Sequence, residues 1–340
     1  MPATKRIQNQ MEELTVMNFM RASKAAGLAA LLAAAIAAAQ PFPDKPVRMI
    51  VPLPPGTASD FLARTLGQTL SDAYKQQVVV DNRPGAGGLI GSGIVAKATP
   101  DGYTLAMVAP PHLVGPLLQS NPPYRPLDDF AAVIEVASLP NIVVVAASVP
   151  AKNVQELIAL IKSKPGQFNF GSAGIGTAAH LGAEILNRAG GLKAVHIPFK
   201  LIPDVLTEMS AGRVHYVVFT APAALTLLRG DAKLRAIAVT GAKRSAAFPD
   251  LPTVAEAGLP EAVSDVWFGI IAPASTPRRI VAQLNADIVK ILRVPETKEK
   301  FARQGAELVD DTTPEGFASL MKSEYTRYRT LLKDAGIKPQ

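Results

Sequence analysis

Two short stretches carry residue types that could hold an anion. One is Pro54-Pro55-Gly56-Thr57-Ala58-Ser59-Asp60; the other is Phe170-Gly171-Ser172-Ala173-Gly174-Ile175-Gly176-Thr177-Ala178-Ala179-His180. Each reads as the end of a strand, a glycine-bearing loop and the start of a helix. Such a loop aims unpaired backbone N–H groups, and the positive end of a helix dipole, at one point. If the two loops face each other across a cleft, both helix N-termini converge on one anion, and no cationic side chain is required.

Other chemistries fit the residues less well. Gly174-Ile175-Gly176-Thr177-Ala178-Ala179 matches the dinucleotide pattern G-x-G-x-x-A. That pattern also needs an acidic residue at the end of the following strand. Here that strand ends His196-Ile197-Pro198-Phe199, with no carboxylate. A nucleophile elbow around Ser172 needs glycine at position 170, which is Phe170, and Ser92 between Gly91 and Gly93 has isoleucine on either side. The absence of cysteine removes disulfides, thiolate metal sites and a cysteine nucleophile. The histidines at 112, 180, 196 and 215 lack metal-ligand spacing. No nucleophile–base pair is legible, so neither catalysis nor a cofactor or metal is expected. His180 reads either as a ligand contact or as a hydrogen-bonded structural residue. Asp60 reads as serving its own helix N-terminus, and Arg83 as pinning the glycine-rich loop beside it. Trp267 is divided between core packing and the cleft.

The elements that must position these loops alternate. A strand over 47–51 ends at Pro52, and Ser59 is a good N-cap for a helix over 60–73. A strand over 78–80, a helix ending near 98 and a strand over 103–108 complete a β-α-β-α-β run, the pattern of an open parallel sheet. Extended runs over 131–138 and 142–146 follow, broken at Pro140-Asn141. A second alternation then has strands over 168–172, 194–197, 214–219 and 234–239. The helix after the second loop covers 177–188, with Leu181, Ile185 and Leu186 as its apolar stripe. A strand over 267–272 returns to the first domain, and helices over 277–292 and 314–334 close the chain. The expected class is α/β with two open-sheet domains around a ligand cleft: residues 40–140 with 263–340, and residues 141–262.

Composition agrees. With 340 residues, 48% hydrophobic and 19% charged, the chain is globular and long enough for two cores. Arg21 and Lys24 precede an apolar run over 25–39 that ends Ala37-Ala38-Ala39. The run is about 15 residues, short of the roughly 20 a bilayer span needs, and reads as a secretory signal cleaved near Ala39. Residues 1–16 read as an extension ahead of the true start. The net charge of +7 suits an anionic ligand. Arg/Lys clusters with interleaved aromatics are missing, so nucleic acid is not an expected partner.

The residues also carry a family likeness. Landmarks run in order from Phe42-Pro43-Asp44-Lys45-Pro46-Val47-Arg48 through Val51-Pro52-Leu53-Pro54-Pro55-Gly56, Asp81-Asn82-Arg83-Pro84-Gly85-Ala86-Gly87-Gly88 and Pro100-Asp101-Gly102-Tyr103-Thr104. Ser172-Ala173-Gly174-Ile175-Gly176, Ala179-His180-Leu181, Phe248-Pro249-Asp250-Leu251-Pro252-Thr253, Glu256-Ala257-Gly258 and Trp267-Phe268-Gly269 continue the series. With these the chain resembles the Bug (Bordetella uptake gene) family, the TctC-like extracytoplasmic solute receptors of tripartite tricarboxylate transporters. The resemblance implies a type II periplasmic binding protein, expected to be a monomer, that closes on a small carboxylate and hands it to a membrane permease. A sensor role, presenting the loaded receptor to a histidine kinase, is the competing class, and a periplasmic enzyme the third. In the family the carboxylate is held by the two loops, largely through backbone amides and water. Carried across, the ligand-binding positions are Pro55, Gly56, Thr57, Ala58, Ser59 and Asp60, then Ser172, Ala173, Gly174, Gly176 and Thr177, with His180 and Thr220 beside them. Thr57 stands where the family usually has a second glycine, Leu201-Ile202 replaces a glycine pair, and Thr220 takes the place of a common aspartate. These departures point to a less polar distal pocket, and to a ligand with one carboxylate and an apolar or aromatic body.

Overall fold

The computed structural model describes residues 42–303, 305–309, 313–337 and 339; the expected leader over 1–39 lies outside them. Within the unit Lys45–Gln340, β1 (Val47–Val51) leads into α1 (Ala58–Tyr74), followed by β2 (Val78–Asn82), a 3-10 turn (Ala86–Gly88), α2 (Leu89–Ala96), β3 (Thr104–Val108) and α3 (Pro111–Leu117). The long strand β4 (Phe130–Val145) comes next, then α4 (Val154–Ser163), β5 (Asn169–Ser172), α5 (Ala178–Gly190), β6 (Val195–Pro198), α6 (Ile202–Ser210), β7 (Tyr216–Thr220), α7 (Ala221–Gly230) and β8 (Arg235–Val239). β9 (Asp265–Pro273), α8 (Arg278–Leu292), α9 (Pro295–Ala302), β10 (Glu307–Leu308) and α10 (Pro314–Asp334) follow. Among the described residues no helix is long and apolar enough to cross a membrane.

The strands order as β2-β1-β3-β9-β4-β7-β5-β6, with β8 and β10 also paired to β4. β1 pairs in parallel with β2 and β3, and β5 with β6 and β7, as the alternating sequence predicts. The expected break at Pro140-Asn141 is not there: both residues lie inside β4. Pro140 ends the antiparallel register with β9, opposite Asp265, and Asn141 opens the register with β7, opposite Thr220. Proline has no N–H to give a ladder. Placed where the strand changes partners, it interrupts neither pairing. The valine-rich half beyond it is buried along its whole length, which favours a strand covered on both faces.

One helix belongs to two cores. Ala179, Ala183 and Leu186 of α5 pack with Phe170, Val217 and Ile237. Leu181 and Ile185, on its other side, pack with Ile50, Val108, Trp267 and Phe317. Trp267 is core: it is buried, and its ring stands edge-on to Phe317 with centroids 5.6 Å apart. Strand alternation turns the next residue, Phe268, to the opposite face. Gly269 lies beneath Phe317, where a Cβ would meet the ring at 2.2 Å. The sequence reading did not anticipate α3, α9 or β10, which are short or carry no strong periodicity.

Three segments cross beside the middle of β4. Asn141 N–H donates to Thr240 Oγ1 (3.1 Å), Asn141 Nδ2 reaches the Ser264 carbonyl (3.4 Å), and Thr240 Oγ1 donates to the same carbonyl. The crossing is tight: a Cβ at Gly241 would stand 3.1 Å from Pro140 Cβ and 3.2 Å from Asp265 Oδ1. Among the described residues Asp265 Oδ1 is buried without a hydrogen-bond partner. Burial, then the charges of Glu307 and Glu324, push this carboxyl up to about 6. The folded chain therefore keeps a proton that the unfolded chain releases near 3.8. Stability falls as pH rises from about 4 through 6, and the penalty persists above that. Asp265→Asn is expected to stabilise the protein at pH 7.5 by about 1–3 kcal/mol, the gain vanishing toward pH 4. Urea unfolding at the two pH values checks this, and an equal effect at both would refute it.

Candidate functional site

The first loop is shaped by its cap. Thr57 is extended, its Oγ1 accepts the Asp60 N–H at 3.4 Å and donates to the Pro54 carbonyl at 2.9 Å. The cap is thus Thr57 and not Ser59, because the helix begins two residues earlier than the sequence suggests. Helix geometry then leaves the N–H groups of Ala58 and Ser59 without an intrahelical acceptor. Gly56, at φ 81°, supplies the left-handed turn that starts the loop. Asp60 turns back into its own loop: Oδ2 accepts the Gly56 N–H at 2.9 Å and Oδ1 lies 3.0 Å from Arg64 Nη2. Burial works against the Asp60 charge, but hydrogen bonds from Arg64, Gly56 and Asn82 and the Arg64 charge outweigh it and hold its carboxyl below the usual range. Arg64 also donates to Asn82 Oδ1 (2.9 Å), and Asn82 Nδ2 to the Leu53 carbonyl (3.2 Å). The capping carboxylate is therefore balanced by a cation and does not expel an anion from the same helix end.

The second loop is braced by histidines. Ser172 Oγ lies 2.7 Å from His196 Nε2 and 3.1 Å from both the N–H and the carbonyl of Gly174. The Gly176 N–H donates to His180 Nδ1 at 3.2 Å, which leaves the ring proton on Nε2, 3.7 Å from Glu184 Oε1. Thr177 caps α5: Oγ1 donates to the Gly174 carbonyl (2.7 Å) and accepts the His180 N–H (3.4 Å). The N–H groups of Gly174, Gly176 and Thr177, which the sequence offered to an anion, are thus occupied inside the loop. Those of Ala178 and Ala179 have no intrahelical acceptor. Ser172–His196 is a nucleophile–base contact that sequence reading did not find. Ser172 is fully buried and bonded on several sides, so the contact acts as a brace. Burial, and for His180 also the charge of His196, lowers the rings to about 3 for His180 and about 4 for His196. Both are neutral when folded, and their stabilising share is lost as pH falls from about 6.5 toward 4.

A cavity of about 480 Å³ lies between the loops. Gly56, Thr57, Ala58 and Ser59 form one part of its wall, and Thr177 with Ala178 another. Phe61 and Leu62 extend the first part along α1. Pro111 begins α3, Ile202 begins α6, and Thr220, Pro222 and Ala223 belong to the start of α7; Leu139, Val266 and Phe268 of β4 and β9, with Leu53 and Ala109, complete the wall. This is the carboxyl edge of the strands, where open α/β sheets take their ligands. Ser59 Oγ is fully buried on this wall and, among the described residues, has no hydrogen-bond partner. None of the described residues lining the cavity is charged.

Of the residues the sequence offered, Gly56, Thr57, Ala58, Ser59, Thr177 and Thr220 line this cavity. Asp60, Ser172, Gly174, Gly176 and His180 hold the loops in shape. Ala173 lies within the second turn, and Pro55 is exposed on the first loop. Arg83 pairs with Asp81 at 2.9 Å, beside Arg48, instead of pinning the glycines by its side chain. Sequence reading missed Ala178 as a wall residue, although a threonine cap at 177 would have marked it as the first helical position. It also missed Phe61, Leu139, Val266 and Phe268, which come from separate elements and share no spacing.

The sequence matches the tripartite tricarboxylate transporter family receptor over residues 62–337. The chain is 36% identical over 307 residues to BugT of Bordetella pertussis, covering 90% of this chain and 94% of that protein. It is 35% identical over 292 residues to a Pseudomonas sp. (strain P51) protein from the tcbD-tcbE intergenic region, covering 86% of each. Among solved structures, an R. palustris protein with adipate superposes with a TM-score of 0.74 at 33% identity, covering 88% of this chain and all of that one. MatC from Rhodopseudomonas palustris with bound malate gives 0.71 at 28% identity, covering 86% and 100%. The fold is that of the TctC-like periplasmic binding proteins.

The two glycines of the second loop have separable roles. Gly174 (φ 121°) has nothing within 3.8 Å of a Cβ, whereas a Cβ at Gly176 (φ 79°) would meet Leu118 Cδ1 at 2.9 Å and Val114 Cγ1 at 3.2 Å. Gly174→Ala is expected to cost about 1 kcal/mol from backbone strain, and Gly176→Ala about 2–4 kcal/mol from strain plus overpacking. Equal losses in urea unfolding would mean that contact with α3 adds nothing.

Proposed function

Because the chain belongs to the tripartite tricarboxylate transporter receptor family, whose members are solute-binding receptors and not enzymes, we propose that it captures a small organic carboxylate in the 480 Å³ cavity and delivers it to a membrane permease. One observation carries this reading: the first turns of α1 and α5 line the same cavity as the Ser59 hydroxyl, which among the described residues has no partner, and none of the described lining residues is charged. The carboxylate accepts from the N–H groups of Ala58, Ser59 and Ala178 and from Ser59 Oγ, with Thr57 and Thr177 alongside. Each hydrogen bond to a charged group contributes about 1.5–3 kcal/mol and each dipole about 0.3–1 kcal/mol. Together they reach much of the roughly −8 kcal/mol of a micromolar site. Residues 40–140 with 263–340 and residues 141–262 act as two lobes that close on the ligand. The protein works as an exported monomer whose leader is removed near Ala39.

The backbone donors can be removed singly. Ala58 and Ala178 are first helical positions, where proline is favoured, and the caps before them, Thr57 (ψ 163°) and Thr177 (ψ 159°), already have the extended backbone proline demands. Ala58→Pro and Ala178→Pro are each expected to weaken the carboxylate about 10–100-fold while the melting temperature stays within a few degrees. Native mass spectrometry of the fresh protein, with a thermal-shift screen of carboxylates, supplies the ligand, and calorimetry reads the change. Unaltered affinity in both variants would end the two-loop reading.

A further inference from the structure

Resting on that receptor reading, we infer that the ligand carries a single negative charge, and that the rest of it is a hydrocarbon or aromatic body packed on an apolar wall. Outside the two first turns the cavity is faced by Leu139, Ile202, Pro222, Val266 and Phe268, with Thr220 the one further polar side chain among the described lining residues. None of these is charged, and Thr220 Oγ1 is the one side-chain donor among them; a second ionised group held by a single neutral hydroxyl is strongly disfavoured. The other helices that begin here are blunted. α3 starts with Pro111, α6 has Pro203 in its first turn, and α7 has Pro222, so an imino nitrogen replaces an N–H in each. α6 and α7 keep the N–H groups on either side of their prolines, but α1 adds the buried Ser59 hydroxyl to its free amides, and this places the carboxylate at α1 and α5. Phe268, held by β9 with Trp267 locked into the core on its other side, gives the body a rigid aromatic surface. At about 480 Å³ the cavity is within the size range of small-molecule sites, so it has room for a substantial body. Adipate and malate, bound by the two R. palustris neighbours, each carry a second carboxylate for which the described wall residues supply no charged partner.

Matched pairs of probes test this by calorimetry on the full mature protein at pH 7.5: hexanoate against adipate, octanoate against suberate, benzoate and phenylacetate against terephthalate. The monocarboxylate is expected to bind more tightly in each skeleton that binds at all, by on the order of a hundredfold. Ile202→Arg, at a half-exposed first helical position, is expected to shrink that gap at least tenfold by giving the second carboxylate a partner. A dicarboxylate equal to or tighter than its monocarboxylate on the unaltered protein would overturn the single-charge inference and leave the receptor reading intact. A gap that Ile202→Arg does not move would also overturn it, since the apolar wall would then not be what the second group meets. Failure of every mono- and dicarboxylate would remove the receptor reading and the inference together.

Discussion

The first N–H groups of an α-helix have no acceptor within the helix, and this constraint organises the molecule's carboxyl edge. α1, α3, α5, α6 and α7 all begin at one cavity, so many orphan donors arrive in a small volume. The chain disposes of them in distinct ways. Threonine caps at 57 and 177 take the third amide of α1 and α5. Prolines at 111, 203 and 222 remove a donor outright. The amides of Ala58, Ser59 and Ala178, residues that line the cavity, are left without an intrahelical acceptor. A polar ligand at that point would supply what the backbone lacks, and on the proposed reading this is how a cavity whose described wall residues are uncharged would serve an anion.

The two loops reach the same end by different electrostatics. In the first, a buried carboxylate, Asp60, shapes the turn by accepting the Gly56 N–H, and Arg64 from the solvent side cancels its charge. In the second, neutral imidazole does the same work: His180 Nδ1 accepts the Gly176 N–H, and His196 steadies Ser172. A protonated His180 could not accept that hydrogen bond, so the geometry and the lowered basicity support each other. Neither loop leaves an uncompensated charge beside the anion. Loop shape and ligand charge are therefore decoupled, and a carboxylate entering the cavity does not have to displace an ion.

Much of this was legible in the chain. The β-α alternation, the parallel order within each half and both glycine loops follow from periodicity and from glycine and proline placement. So do the direction of the second helix and its apolar stripe. What failed was local competition. Ser59 and Thr57 are both good caps, and only the hydrogen bond to the Asp60 N–H decides between them. Pro140 reads as a breaker in any window of sequence, yet it is harmless because β4 changes partners there, a fact held by Thr220 and Asp265, which are 80 and 125 positions away. The glycine amides read as free donors because the side chains that occupy them, Ser172 and His180, look in sequence like candidates for the ligand instead. The apolar wall left no signal at all, since Leu139, Ile202 and Phe268 are neighbours only after folding.

The shared elements limit how such a receptor can open. β4 runs unbroken through both halves of the sheet, and α5 places Ala183 and Leu186 in one core and Leu181 and Ile185 in the other. Separating the lobes would therefore draw Leu181 and Ile185 away from the core that holds Trp267 and Phe317, at about 25 cal/mol for each Å² of apolar surface exposed. The same movement would pull Gly176 from Leu118 and Val114. If the two proposed lobes move, contacts made by α5 itself favour the closed arrangement before any ligand enters, and a carboxylate would add one acceptor shared by donors of α1 and α5. The opposing influence lies at the crossing, where Asp265 is held beside Pro140 and Gly241 with a buried oxygen that has no partner among the described residues, and with acidic neighbours in Glu307 and Glu324. A charge placed there favours any state that admits water, so in a receptor that closes as proposed, the balance between packing on α5 and hydration at the crossing would set how far it stays shut when empty.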